Sequence, residues 1–318
     1  MAIYLTEGEI SQLLTMDETL SILDELFRAR ARGEIINKPR VRVGYPGGNY
    51  NLMPAGWTTH GIVGHKSYTV TPKGASFQIV LYGTDGSGLL AVMGGGRISG
   101  LRTGAATGYA AKLLAGAHAG SPVAVIGAGF QATMQVNGIV AATGATDVRI
   151  WSRTQEKREA FATRMAESTG VGVRAASSAE DALDGAGVIV TITASADPVL
   201  MADQVKPGQT VIAAGINSWW KGEIDPALYE KADLVVVDDI DNAKVEAGEI
   251  MRAGELGRIS WDRVVALHDI SGGLRAGRSN AQQIIVCNLQ GIGIEDVAVA
   301  EVVYRKAKER GIGLELPA

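Results

Sequence analysis

The sequence predicts an α/β protein in two parts: a parallel sheet wound with helices, and a largely antiparallel α+β half. Three observations carry this. Val123 to Ala132 reads VAVIGAGFQA, a short apolar run followed by a G-x-G-x-x-A spacing and a helical stretch from Gln131 to Ala142. Beyond it, the apolar runs VRIW, VGVRAA, VIVTIT, QTVIAAGI and DLVVVD alternate with helical segments near 130–142, 155–168, 178–184 and 225–231. Strands apolar on both faces and separated by helices belong to a parallel sheet. Before residue 97, short strands follow one another with turn formers between them, which is an antiparallel pattern.

Taken in order, Glu18 to Arg32 places Leu20, Leu23, Leu26 and Phe27 on one helical face, with Gly33 as a stop. VRVGYP, YNLMP, GIVGHKSYTV and FQIVLYG read as strands, and YGTDGSG before LLAVM reads as a hairpin loop. Arg97 to Ala115 is an alanine-rich helix whose small residues suit close packing, and Gly116 to Pro122 breaks the chain before the parallel sheet. QQIIVCNL at 282–289 adds a late strand, and the segment from Gly291 to Gly311 has helical spacing through Val297, Ala300, Val303 and Tyr304.

With 318 residues, 46% of them hydrophobic and 20% charged, the chain is long enough for two cores. Its net charge of −4 and lack of any basic run argue against a nucleic-acid partner. Cys287 is the only cysteine, so no internal disulfide forms, and its place in IIVCNL reads as a small core residue. The four histidines are scattered, and no metal is expected. Met1 to Gln12 lacks the apolar core of a secretory signal and no stretch is apolar enough to span a bilayer, so a cytoplasmic protein with no membrane partner is expected.

The glycine spacing points to a dinucleotide. Gly127 permits the strand-to-helix turn, Gly129 lets the backbone approach a pyrophosphate, Ala132 allows close helix packing, and the helix N-terminus favours the anion. At the end of the next strand, where an acidic residue would hold the NAD ribose, the chain has Ser152, Arg153 and Thr154, with Lys157 and Arg158 one turn on. These residues suit a 2′-phosphate and favour NADP(H) over NAD(H); the alternative is a solvated, basic helix start. Among the cations of the first half (Lys38, Arg40, Arg42, Lys66, Arg102), Lys66 lies in an apolar strand pattern and Arg102 beside an alanine-rich run. Such cations need a counter-charge, supplied by a substrate carboxylate or by an internal salt bridge to Glu295 or Asp296. Asn217 follows an apolar strand and should emerge at the carboxyl edge of the sheet, able to hydrogen-bond but not to titrate. Trp219 and Trp220 either wall the pocket or cover an interface, and Lys221 either reaches the cofactor or pairs with Glu223.

PRVRV with NLMPAG, then GHKSY, GLRTGAATG, VAVIGAGFQA, IWSRT, AAGINSWWKGEID, ADLVVVD and QGIGIEDVA occur in one order, and together they resemble the ornithine cyclodeaminase/mu-crystallin family over nearly the whole chain. The resemblance implies a homodimer. It implies a substrate-binding and dimerisation domain from residues 1–118 and 290–318, and a Rossmann NAD(P)-binding domain at 119–289. Arg40, Lys66 and Arg102 match positions that bind the substrate carboxylate or lie beside the nicotinamide, and Met53 matches a pocket-lining position. Thr103, Gly127, Ala128, Gly129, Phe130, Gln131, Ser152, Arg153 and Thr154 fall where the family contacts its cofactor, to which the residues themselves add Arg158, Asn217 and Lys221.

The family's reactions differ. Cyclodeaminases carry an aspartate where this chain has Asn217, and an amide does not handle protons. Leu289 stands where many relatives have a serine, leaving Asn288 or Gln290 as polar substitutes. The expectation is an NADP-dependent oxidoreductase acting at a C–N bond, reducing an imine or ketimine carboxylate to an amino acid or running in reverse, with Lys66 and Asn217 at the chemistry. The alternatives are ornithine cyclodeaminase with an internally recycled cofactor, and a protein that holds NADPH and a small ligand without turnover.

Overall fold

A computed structural model describes residues 1–317. The chain runs β1 (Ile3–Leu5), α1 (Glu7–Leu13), α2 (Met16–Ala31), β2 (Ile35–Asn37), β3 (Val41–Tyr45), β4 (Gly48–Trp57), β5 (Ile62–Thr71), β6 (Gly74–Gly83), β7 (Gly88–Gly94) and α3 (Gly96–Ala115). It continues through β8 (Val123–Ile126), α4 (Phe130–Thr143), β9 (Asp147–Trp151), α5 (Gln155–Thr169), β10 (Gly172–Ala175), α6 (Ala179–Leu183), β11 (Val188–Thr191), β12 (Thr210–Ala213), α7 (Ala227–Lys231) and β13 (Leu234–Val237). Then follow α8 (Ile240–Glu246), α9 (Gly248–Glu255), β14 (Val264–Ala266), α10 (Leu267–Ser271), β15 (Ile285–Asn288), α11 (Gly293–Arg310) and β16 (Leu314–Glu315). Two compact units result: Met1–Arg102 with the segment from Gly291 onward, and Thr103–Gln290. The first division therefore falls inside α3, not in the glycine-rich break after it at residue 118.

In the first unit the sheet order is β16-β1-β7-β6-β5-β4-β2, with β3 also on β4. The pairs from β2 to β7 are antiparallel, as the hairpin signals predict. β1 departs from the pattern by pairing parallel with β7, which makes the sheet mixed. Three residues are too few to show a period, and only a distant partner orients them. α11 packs on β4, β5 and β6, and α2 packs on α11. T-x-x-E capping boxes start α1 at Thr6 and α2 at Thr15, each threonine accepting from the backbone three residues on. Met53, Lys66, Ile79 and Met93 are opposed in register across β4, β5, β6 and β7 and are all buried.

The second unit is a parallel sheet of order β10-β9-β8-β11-β12-β15-β13-β14. β8, β11, β12 and β15 are buried throughout, as strands between helical layers must be. From β8 the chain steps to β9 and β10 on one side and to β11 and β12 on the other, so the strand order reverses beside β8. α3 crosses α4 at glycine: a Cβ on Gly104 would meet the Met134 carbonyl, and one on Gly138 the Gly104 carbonyl. α8, α9, β14 and α10 were not legible as separate elements, each being eight residues or shorter. Among the described residues no helix is long and apolar enough to cross a membrane.

Candidate active site

In the second unit the carboxyl ends of β8, β9, β11 and β12 share one edge, because these strands are parallel and in register. Gly127 follows β8 with φ +130, and a Cβ there would run into the Ile192 carbonyl, so the turn admits only glycine. Its N–H donates to Trp151 O at 2.8 Å, tying the turn to the end of β9. Gly129 is the N-cap of α4 and supplies no capping side chain, and the space where its Cβ would stand is open. The first N–H groups of this 14-residue helix thus face an uncrowded surface at the positive end of its dipole, which fits a pyrophosphate.

The predicted cofactor residues of this edge stand around that turn. Ala128 and Gln131 are half-buried and Phe130 is 80% exposed. Ser152 and Thr154 follow β9, and Arg153 is exposed. Arg158, half-buried on α5, donates from Nη1 to Ser152 O at 3.0 Å and so braces the loop that carries Arg153. Thr103, the first residue of this unit, is half-buried on α3.

Asn217 lies exposed, four residues past the end of β12, as an edge position requires. Trp219 and Trp220 are exposed, and with Lys221, Glu249 and Met251 they line a cavity of about 240 Å³. Lys221 does not pair with Glu223: its Nζ lies over the Trp220 ring, 4.7 Å from the centroid. Glu223 is turned into the protein, where it accepts from the backbone N–H of Thr193 and of Gly215, the latter at 2.7 Å. It joins the segments after β11 and β12. Glu249 of α9 accepts from the N–H groups of Glu223 and Ile224, from Tyr229 Oη at 3.0 Å and from Asn288 Nδ2 at 2.7 Å. Burial pushes both carboxyls up, Glu249 to about 7, with the backbone donors opposing the shift. Asn288 and Gln290, the polar substitutes considered beside Leu289, are buried, and Asn288 is spent on this network.

In the first unit the structure gathers Arg40, Lys66 and Arg102. The Lys66 ammonium lies 5.6 Å and the Arg40 guanidinium 5.9 Å from the centroid of the Tyr68 ring. Met53 opposes Lys66 across β4 and β5. The counter-charge is internal: Lys66 Nζ pairs with Asp296 Oδ2 at 2.8 Å, and Arg102 pairs with Glu295 at 2.9 Å and with Asp296 Oδ1 at 3.2 Å. The salt-bridge alternative is therefore the one observed, and a substrate carboxylate would join a cluster that already holds its own acids. Lys66 also donates to Ser99 Oγ at 3.2 Å, and Arg40 donates to Gly291 O at 3.2 Å. Gly293 makes this possible, since a Cβ there would lie 2.6 Å from Met53 O and hold the start of α11 away from β4. Burial pushes the Lys66 ammonium down to about 7, Arg102 and Arg40 add to that, and Asp296 opposes it. Burial also acts against the charge on Arg102, but Asp296 and Glu295 outweigh it and hold that group above its ordinary value.

Sequence reasoning named Glu223 only as a partner for Lys221 and did not single out Ser99, Tyr68 or Glu249. Ser99 stands one helical turn before Arg102 and Tyr68 two residues past Lys66 on the strand, so local spacing contained a signal. Glu223 and Glu249 carried none, because acidic residues near a lysine or on a short helix ordinarily face water.

Comparison with known proteins agrees with this architecture. An iminosuccinate reductase of Paracoccus denitrificans, solved in complex with NAD+, superposes with a TM-score of 0.92 at 27% identity over 100% of this chain and 99% of that one. An archaeal alanine dehydrogenase, solved as a dimer with bound NAD, gives 0.91 at 30% identity over 99% of both chains. The ketimine reductase mu-crystallin of Mus musculus is 32% identical over 76% of this chain and 72% of its own. The ornithine cyclodeaminase/mu-crystallin family model matches residues 2–311, and the chain belongs to that family.

Proposed function

We propose that this protein is a nicotinamide-dependent oxidoreductase that reduces an imine or ketimine carboxylate to the corresponding amino acid, or runs the reverse reaction as an amino-acid dehydrogenase. The observation that carries the reading is Lys66, a buried ammonium poised near 7 between two guanidinium groups, on a chain that also holds an uncapped helix N-terminus behind a G-x-G turn. When bound, the dihydronicotinamide supplies the hydride. Gly127 to Gln131 would hold the pyrophosphate, and Arg153 the 2′-phosphate of NADP(H), the cofactor we expect to be preferred. Arg40 and Arg102 would bind the carboxylate, for which guanidinium geometry is suited even with two of its N–H groups already on Glu295 and Asp296. Lys66 would carry the proton for the imine nitrogen, and Asn217 would hydrogen-bond nearby without exchanging a proton.

The proposal includes a homodimer of soluble, cytoplasmic chains; the lone, buried Cys287 suits a reducing compartment. The face of the first sheet opposite α11 exposes Val41, Val43 and Tyr50 towards one end of β4 and Val63 beside Tyr82 towards the other, apolar surface of the kind a second copy would cover.

The test is incubation with NADPH or NADH and a panel of cyclic imines, and of keto acids with amines. Net cofactor oxidation, lost by about a hundredfold or more in Lys66→Met while NADPH still binds, is the expected result. Ammonia and proline from ornithine without net oxidation would identify the lyase instead, and bound cofactor with neither product a binding protein.

A further inference from the structure

Lys66 is the only charged member of its row across the first sheet; Met53, Ile79, Met93 and Leu5 make up the rest. An ammonium in that setting favours its neutral form unless something holds the proton on. Two side chains from two elements do so: Asp296 of α11, wholly buried and 2.8 Å from Nζ, and Ser99 of α3 at 3.2 Å. Asp296 uses its other oxygen on Arg102 Nε, so one carboxylate fixes the separation of the two cations.

We propose that Asp296, with Ser99 beside it, is the positioning residue that keeps Lys66 protonated and aimed for proton transfer to the substrate nitrogen. This rests on the reaction proposed above. As the carbon accepts hydride, the C=N π pair takes the proton from Lys66 and becomes an N–H bond. The electrons of the broken Nζ–H bond remain on Lys66, which recovers its proton from water. Every charged or titratable group facing Nζ enters the balance. Arg102 on α3 and Arg40 before β3 repel the proton, Asp296 on α11 retains it, Glu295 on α11 acts through Arg102, and the Tyr68 ring of β5 presents its π face. Asp296 is thus the one carboxylate in direct contact with the ammonium among the described residues.

The experiment needs no turnover. Lysine side chains are isotopically labelled, the Lys66 signal is assigned by its loss in Lys66→Met, and its titration is followed by NMR in the protein alone. The wild-type midpoint should lie near 7, and Asp296→Asn should lower it by about one to three units. The alkaline limb of kcat/KM should move down by the same amount, since the protonated amine is the active form. An unmoved midpoint in folded Asp296→Asn overturns the proposal. If that variant does not fold, Ser99→Ala removes a hydrogen bond and no charge: a smaller fall in midpoint supports the assignment and an unchanged midpoint refutes it. A midpoint that falls in a protein reducing no imine keeps the role of Asp296 and rejects the reaction; imine reduction with an unmoved midpoint does the converse.

Discussion

Arg153 stands in solvent at the end of β9 with its loop braced from behind by Arg158, so its guanidinium is available to a phosphate at little reorganisation cost. A charge-assisted hydrogen bond contributes about 1.5–3 kcal/mol, and Arg153→Ala should therefore raise KM for NADPH about 10- to 100-fold while KM for NADH changes little. Parallel steady-state titrations with the two cofactors check this, and a constant ratio removes Arg153 from 2′-phosphate recognition. Residues at this scale differ in how legible they were. Gly127, Gly129 and Ala132 announce themselves because their spacing and the positive φ of Gly127 are local, although the carbonyl that excludes a Cβ at Gly127 belongs to the distant Ile192. Lys66 was legible as a cation in an apolar strand. Its partner was only one of two alternatives, since Asp296 comes from the far end of the chain.

At the scale of elements, the short helix α9 is what the sequence conceals. Its Glu249 gathers four donors from three other segments and, through Glu223, helps hold the segments that follow β11 and β12. The carboxyl is raised from an ordinary 4.5 to about 7 in the folded protein. A raised folded value means that stability is fully present below about 4.5 and is lost as pH rises through about 7, a change of about 3 kcal/mol for this one buried group. Urea unfolding of wild type and Glu249→Gln across that range should show the difference between them shifting in favour of the variant as pH rises. A difference constant with pH would mean that Glu249 titrates normally. The element itself escaped prediction because Gly248 and Gly254 bracket a run too short for periodicity, and its carboxylate looks like any surface acid until Asn288 and Tyr229 surround it.

At the scale of the whole molecule, the exposed face of the first sheet is the feature with the largest consequence. Alternation along β4, β5 and β6 buries one set of side chains under α11 and turns Tyr50, Val63 and Tyr82 outward, while β3, with Val43, is exposed along its whole length. Val43 and Tyr50 are directly opposed across β3 and β4, so Val43→Lys with Tyr50→Lys places like charges together in the apolar group at that end of the face. Sedimentation velocity should show the wild type as a dimer and the double variant as a folded monomer; a variant that still sediments as a dimer moves the interface elsewhere. The sequence by itself determined the parallel sheet, the glycine turn after β8 and the helical packing of α3, because periodicity, glycine spacing and small-residue content act between near neighbours. Only the tertiary structure decided which charges meet: Arg102 and Asp296 are 194 residues apart, and their pairing follows from where α11 settles on the first sheet. The parallel pairing of β1 and the inward turn of Glu223 were decided the same way. In each case the energy lies in burial and in partners supplied by distant chain, which no local pattern encodes.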